Sequence, residues 1–212
     1  MKKVLIVGNG ERNKNDFYKK ISQGVDFIIG VDQGAKTLIE AGIKPGLAIG
    51  DFDSLKDLDF LERAGVKILK FPTEKNESDT ELAINYAKEK EFDYFIFSGM
   101  LGGRVDHLLF NISLLYRLLK EGKHGEILEE REEIYITQDG IEIYVRVGDI
   151  ISILPITGIA YGVKTEGLKY ELHRSTLRMG STLPLSNVSL SQRVSVSLKK
   201  GIVLVIVEKL NF

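Results

Sequence analysis

"DFIIGVDQGAKTLIEAGIKPGLAIG", residues 26–50, changes its period twice. Residues 26–32 form an apolar run and read as a strand. Residues 33–42 carry helical spacing and stop at Gly42, with Pro45 just beyond, the usual punctuation of a helix end. Residues 47–50, "LAIG", are apolar again and read as a second strand. Strand, helix, strand at this spacing is the grammar of a parallel sheet.

The same alternation extends on both sides. Upstream, "KVLIVG" (3–8) is continuously apolar rather than alternating, as a strand buried on both faces must be, and a helix follows through about Phe17 to Ile21. Downstream, "LKDLDFLERAG" (55–65) reads as a helix, "VKILKF" (66–71) as a strand and "SDTELAINYAKEKE" (78–91) as a helix. "DYFIFSG" (93–99) then reads as a fifth strand and "RVDHLLFNISLLYRLLKEG" (104–122) as a long helix. The expectation for residues 1–122 is an α/β domain with a mainly parallel, doubly wound sheet. Past "KEGKHGEILEE" (120–130) no helical period of useful length appears. Short β-branched and aromatic runs follow, and "QDG" between two of them predicts a hairpin. "SLKKGIVLVI" predicts another. Residues 123–212 are expected to form an all-β, sandwich-like domain.

Composition narrows the classes. Lys plus Arg number 29 and Asp plus Glu 30, so the net charge of −1 argues against a nucleic-acid partner. There is no cysteine, which excludes disulfide and thiolate chemistry, and three scattered histidines (107, 124, 173) do not make a histidine metal site. The opening apolar run breaks at Gly8, too soon for a signal peptide or a membrane span. A cytoplasmic protein with no membrane association is expected.

Ligands of a doubly wound sheet bind outside the carboxyl ends of its strands. The residues that follow the five strands are Gly8, Asn9 and Gly10; Asp32; Asp51 and Asp53; Asp79; and Gly99, Gly102, Gly103, Arg104 and Asp106. Each acid has a structural reading. Ser54 would cap a helix after Asp51 and Asp53, Asp32 could cap the helix after the second strand, and Ser78 with Glu81 forms a capping box around Asp79. Asp51 and Asp53 would share one face if the chain stayed extended. Together the acids ask for more. Two unit charges about 4 Å apart repel by about 4 kcal/mol near a protein surface, and a cation relieves this. Oxygen ligands without His or Cys favour Mg²⁺, which takes remaining ligands from phosphates. The glycine-rich "SGMLGGR" offers backbone N–H groups and an arginine fork to phosphate. Neither a complete G-x-G-x-x-G nor a P-loop occurs.

"VDQGAKTLIEAGIKPGLAIGDFDS", "KNESDTELA" and "GGRVDHLLFN", in that order and spacing, resemble thiamin pyrophosphokinase, and so do "GLKYEL" (167–172), "LSN" (185–187) and the closing "VSVSLKKGIVLVI". The resemblance spans nearly the whole chain. It implies transfer of the pyrophosphoryl group of ATP to the hydroxyl of thiamin, giving thiamin diphosphate and AMP. It implies that Asp51, Asp53 and Asp79 hold Mg²⁺ and the triphosphate and act in catalysis with Arg104. Asp32, Gly34, Gly102, Gly103, Arg104 and Asp106 would line the nucleotide. Ser186 and Asn187 would seat thiamin, with Tyr161 or Tyr170 a candidate ring, since Ser189 stands where the family often has an aromatic. It further implies a homodimer, with thiamin between the α/β domain of one subunit and the β domain of the other. Read from the residues alone, a D-x-D metal-dependent nucleotide-sugar transferase and a non-catalytic nucleotide- or thiamin-sensing protein stay open as alternatives.

Overall fold

A computed structural model describes residues 1–53 and 58–210. The chain divides into two compact units, Met1–Glu129 and Glu130–Phe212.

The first unit runs β1 (Lys3–Val7), α1 (Asn15–Ile21), β2 (Phe27–Val31), α2 (Gln33–Glu40), β3 (Leu47–Gly50) and α3 (Asp59–Arg63). It continues with β4 (Lys67–Lys70), α4 (Asp79–Glu89), β5 (Tyr94–Ser98), α5 (Val105–Lys120) and β6 (His124–Leu128). The helix expected over 55–65 is described only from its later part, because residues 54–57, Ser54 among them, lie outside the described residues. The strands are ordered β6-β5-β1-β2-β3-β4, and every pair within this run is parallel. The chain steps outward from β1 to β4, then returns to lay β5 on the other side of β1. That reversal opens the crevice between β1 and β5 where a sheet of this kind takes ligands. Val4, Leu5, Ile6 and Val7 are all fully buried, because helices cover both faces. Leu5 and Val7 pack with Tyr18 and Leu38, while Ala48 packs with Ala35, Phe52 and Leu61.

The second unit is built from β7 (Glu132–Thr137), β8 (Gly140–Tyr144), β9 (Ile150–Pro155), β10 (Ile159–Glu166), β11 (Ser175–Arg178), β12 (Asn187–Val188), β13 (Arg193–Ser197) and β14 (Val203–Glu208). Two antiparallel layers, β12-β9-β14-β7 and β11-β10-β13-β8, close on one core that includes Ile151, Ile153, Val205 and Val207 from the first and Val163, Leu177, Val194 and Val196 from the second. The sandwich expected from the sequence is present.

Three local expectations give way. The two units part after Glu129, not after Gly122, because β6 pairs in parallel with β5 (Tyr94↔His124 to Phe97↔Ile127). β6 is polar in part, with His124, Gly125 and Glu126, so it reads like the β-rich segment that follows. The "QDG" turn does not close a hairpin. β7 pairs with β14 and β8 with β13, so the turn carries the chain from one layer to the other. The Thr137 hydroxyl accepts from Gly140 N (2.9 Å). Neither Asp139 nor Gly140 has the positive φ that a tight hairpin turn needs. The turn after β13 likewise changes layer, since β14 pairs with β7 and β9.

Candidate active site

β2 and β3 are parallel neighbours, with Val31 opposite Ile49, so their carboxyl ends deliver Asp32 and Asp51 side by side. Asp79 comes from the first turn of α4, whose cap Ser78 accepts from Glu81 N (3.2 Å). One carboxylate oxygen from each of Asp32, Asp51 and Asp79 lies within 4.8 Å of the others. Asp32 occupies the N-cap position of α2 without capping it. Its Oδ1 instead accepts from Phe52 N (3.2 Å). Gly50 leaves the room for this: a Cβ there would lie 1.8 Å from Asp32 Oδ1.

The chain does not stay extended between Asp51 and Asp53. Phe52 adopts φ +56°, a left-handed conformation that a bulky residue rarely takes, and its ring is buried against Ala48 and Leu61. The turn leaves Asp53 exposed, its N–H donating to Asp51 Oδ1 (3.0 Å). The trio that meets is therefore Asp32–Asp51–Asp79. Asp53, expected beside Asp51 and Asp79, stands outside it, and Asp32, expected in the nucleotide region, stands within it.

The crowding has an electrostatic signature. Burial first, then the charges of Asp79 and Asp51, push the Asp32 carboxyl up to about 7, against the opposing pull of the Phe52 N–H. Lys75, which the sequence reading passed over, sits among the acids with its side chain only 12% exposed. Its Nζ is 2.9 Å from Asp79 Oδ1 and 3.9 Å from Asp51 Oδ2. The closer pair is ionic but not aligned for hydrogen bonding, so the buried Asp79 Oδ1 accepts no hydrogen bond. The three carboxylates form a hard, all-oxygen donor set, which fits a divalent cation of the Mg²⁺ or Ca²⁺ type.

At the β1–β5 crevice the backbones nearly touch. Gly8 N donates to Ser98 O (2.8 Å) and Gly10 N to Gly99 O (2.5 Å), and a Cβ on Gly10 would stand 2.4 Å from Leu101 O. Gly34 lets α2 approach β1, since a Cβ there would lie 2.0 Å from Val7 O. Gly34, expected to line the nucleotide, is thus a packing residue between α2 and β1. A cavity of about 220 Å³ opens beside it, lined by Gly8, Asn9, Arg12, Gln33, Lys36 and Thr37 among others. Gly102 and Gly103 take positive φ and lead into Arg104. The exposed Arg104 and Asp106 pair with each other (Nη2–Oδ2 2.6 Å), which lowers the Asp106 carboxyl and raises the guanidinium. Asn111 donates to Met100 O (2.9 Å) and so serves the loop backbone. A second residue missed in the sequence anchors the same loop. The buried Glu129 accepts from Gly99 N (3.0 Å), Met100 N (2.9 Å), Ser98 Oγ (3.1 Å) and Asn13 Nδ2 (2.5 Å). The acidic run "EEREE" hides it.

In the second unit, the buried Asn187 spends its amide on structure. Its Oδ1 accepts from Tyr170 N (3.1 Å) and Val188 N (2.9 Å), and its Nδ2 donates to Tyr170 O (2.7 Å). It thereby presents Tyr170, which is 65% exposed, beside the exposed Ser186 at φ +55°. Ser189 is fully buried and donates to Arg146 O (2.6 Å).

A family model described as thiamin pyrophosphokinase, catalytic domain, matches residues 18–126, and one described as thiamin pyrophosphokinase, vitamin B1 binding domain, matches residues 133–203. The thiamine pyrophosphokinase of Bacillus subtilis (strain 168) is 33% identical over 211 residues, 97% of this chain and 98% of that protein. Thiamine pyrophosphokinase 1 of Arabidopsis thaliana is 27% identical over 72% of this chain, which spans 61% of that longer relative. Among solved structures, thiamine pyrophosphokinase from Bacillus subtilis superposes with a TM-score of 0.88 at 30% identity, over 98% of this chain and 99% of that one. Thiamin pyrophosphokinase from Candida albicans shares the fold at a TM-score of 0.80 and 18% identity, over 98% of this chain and 89% of that one.

Proposed function

Because the chain belongs to the thiamin pyrophosphokinase family, we propose that Asp32, Asp51 and Asp79 hold the catalytic divalent cation and that Asp53 works beside them on the substrate. The enzyme transfers the pyrophosphoryl group of ATP to thiamin, which removes the nucleotide-sugar transferase and the sensor as readings. The observation that carries the metal assignment is the trio itself, with one oxygen from each carboxylate within 4.8 Å of the others. The cation is read as Mg²⁺, from the all-carboxylate donor set, and when bound it would neutralise charge on the polyphosphate.

The protein's own share is positioning and charge. The glycine loops at the β1–β5 crevice, with Gly34, Gly102 and Gly103, let backbone come close to the nucleotide, and Glu129 fixes Gly99 and Met100 in place. Arg104 pairs with Asp106 at the mouth of that loop and is the guanidinium available to a phosphate. The exposed Asp53 orients the thiamin hydroxyl for in-line attack on the β-phosphorus and accepts its proton as AMP leaves. Ser186 and the ring of Tyr170 meet thiamin, and Asn187 holds their segment. We read the chain as a cytoplasmic homodimer. Support comes from apolar residues exposed on the second unit, including Tyr144, Val147, Leu185 and Leu190. No helix among the described residues is long and apolar enough to cross a membrane.

The test is incubation with ATP, Mg²⁺ and thiamin. Equal amounts of AMP and thiamin diphosphate are expected by mass spectrometry. Asp53→Asn should stay folded and lose turnover by at least 100-fold, the lower range of a general-base contribution. Full activity of that variant would remove Asp53 from the chemistry.

A further inference from the structure

Lys75 has no part in the assignments above, yet its ammonium reaches into the acid trio. We propose that Lys75 is a built-in counter-cation, which offsets part of the charge of the Asp32–Asp51–Asp79 trio through Asp51 and Asp79 when no metal is bound and must turn away when a divalent cation enters. Lys75 therefore sets the trio's metal affinity. The inference rests on reading these three aspartates as the metal's ligands.

The placement is specific. Lys75 lies four residues before Asp79, in the segment between β4 and α4. Its ammonium is tethered on the other side by Pro72 O, which accepts from it at 3.1 Å. Two of the three aspartates are its ion-pair partners, at 2.9 and 3.9 Å. The side chains of the pair are only 12% and 17% exposed, so water screens them little.

A divalent cation and this ammonium cannot share the trio at ease. A cation of the Mg²⁺ type bonds oxygen at about 2.0–2.1 Å. Bound to Asp79 Oδ1, it would lie within about 5 Å of Nζ, because Nζ is itself 2.9 Å from that oxygen. Two positive centres at that range, half-buried, repel strongly. The lysine has a flexible four-carbon stem and three donors that rotate freely, so it can release the carboxylates without moving the backbone. An incoming polyphosphate would offer it new anionic partners. The device lets Asp51 and Asp79 stand together, and it couples metal entry to phosphate entry. The metal alone must displace the ammonium into solvent, whereas the metal with a polyphosphate gives it a new partner.

The experiment is Mn²⁺ titration of metal-free protein, followed by electron paramagnetic resonance, with no substrate present. Wild type, Lys75→Met, Lys75→Arg and Asp79→Asn are compared, with circular dichroism to establish folding. The expected result is that Lys75→Met binds Mn²⁺ about tenfold tighter or more, that Lys75→Arg stays near wild type, and that Asp79→Asn loses the site. Adding a non-hydrolysable ATP analogue should bring wild type and Lys75→Met closer together. Should Lys75→Met not fold, Lys75→Gln replaces it. Equal or weaker Mn²⁺ binding by the neutral variant, with wild type binding and Asp79→Asn not, overturns the counter-cation while leaving the metal assignment intact. Undiminished Mn²⁺ binding by Asp79→Asn, or none by wild type, overturns the metal assignment and this proposal with it.

Discussion

Phe52 decides which aspartates meet. Its ring is drawn into the core beside Leu61, and the positive φ this requires turns Asp53 outward while Asp51 stays facing Asp32 and Asp79. A D-x-D pair shows two acids in the sequence but not that turn, so Asp32 and Asp53 exchange places relative to the expectation. The places of Asp51, Asp79 and the glycines at strand ends and helix starts were legible, because those ends follow from periodicity. Lys75 and Glu129 were not, since a lysine in a polar loop and one glutamate in an acidic run look like solvated surface. Asp32 also yields a pH prediction. Its folded value, about 7, lies above its ordinary 3.8. The stability it contributes is therefore full below about pH 4 and is lost as pH rises towards 7 in metal-free buffer. The stability of Asp32→Asn relative to wild type should accordingly increase across that window, as read by urea denaturation at several pH values. A difference that stays flat with pH would refute the raised carboxyl.

At the scale of elements, the αβ alternation was readable because each of β1, β2, β3 and β5 is an unbroken apolar run and α2 ends at a glycine. The β-rich half was readable as a class but not in its pairings. A turn that changes layer and a turn that closes a hairpin use the same residues, and only the partners of β7, β8, β13 and β14 tell them apart. Half of the α4 capping box holds: Ser78 accepts from Glu81 N, while the Glu81 carboxylate pairs with Arg117. Ser78→Ala should cost about 1 kcal/mol, a fall in Tm of roughly 2–4 °C. It should also weaken metal binding, because Asp79 is the next residue. Ser78→Thr keeps the hydroxyl and should restore both. A thermal melt with and without Mg²⁺ reads the two effects separately.

For the whole molecule, the two units and their two architectures follow from the change of pattern near residue 123, displaced to Glu129 because β6 completes the parallel sheet. Nothing in local sequence tells a sixth parallel strand from the first strand of a β domain, since the decision lies in which neighbour pairs with it. Under the proposed homodimer, the exposed apolar residues of the second unit, Tyr144, Val147, Leu185 and Leu190, are the candidate interface. Sedimentation should give twice the chain mass at micromolar concentration, and charged substitutions at Leu185 and Leu190 should shift it towards monomer. A monomer that turns over at full rate would contradict the dimer.

The central claim is that Asp32, rather than Asp53, completes the metal site with Asp51 and Asp79. Mn²⁺ binding to metal-free Asp32→Asn and Asp53→Asn tests it most directly. The account predicts that Asp32→Asn loses Mn²⁺ affinity by at least tenfold while Asp53→Asn binds like wild type. Loss of Mn²⁺ binding in Asp53→Asn, with Asp32→Asn unaffected, would contradict it.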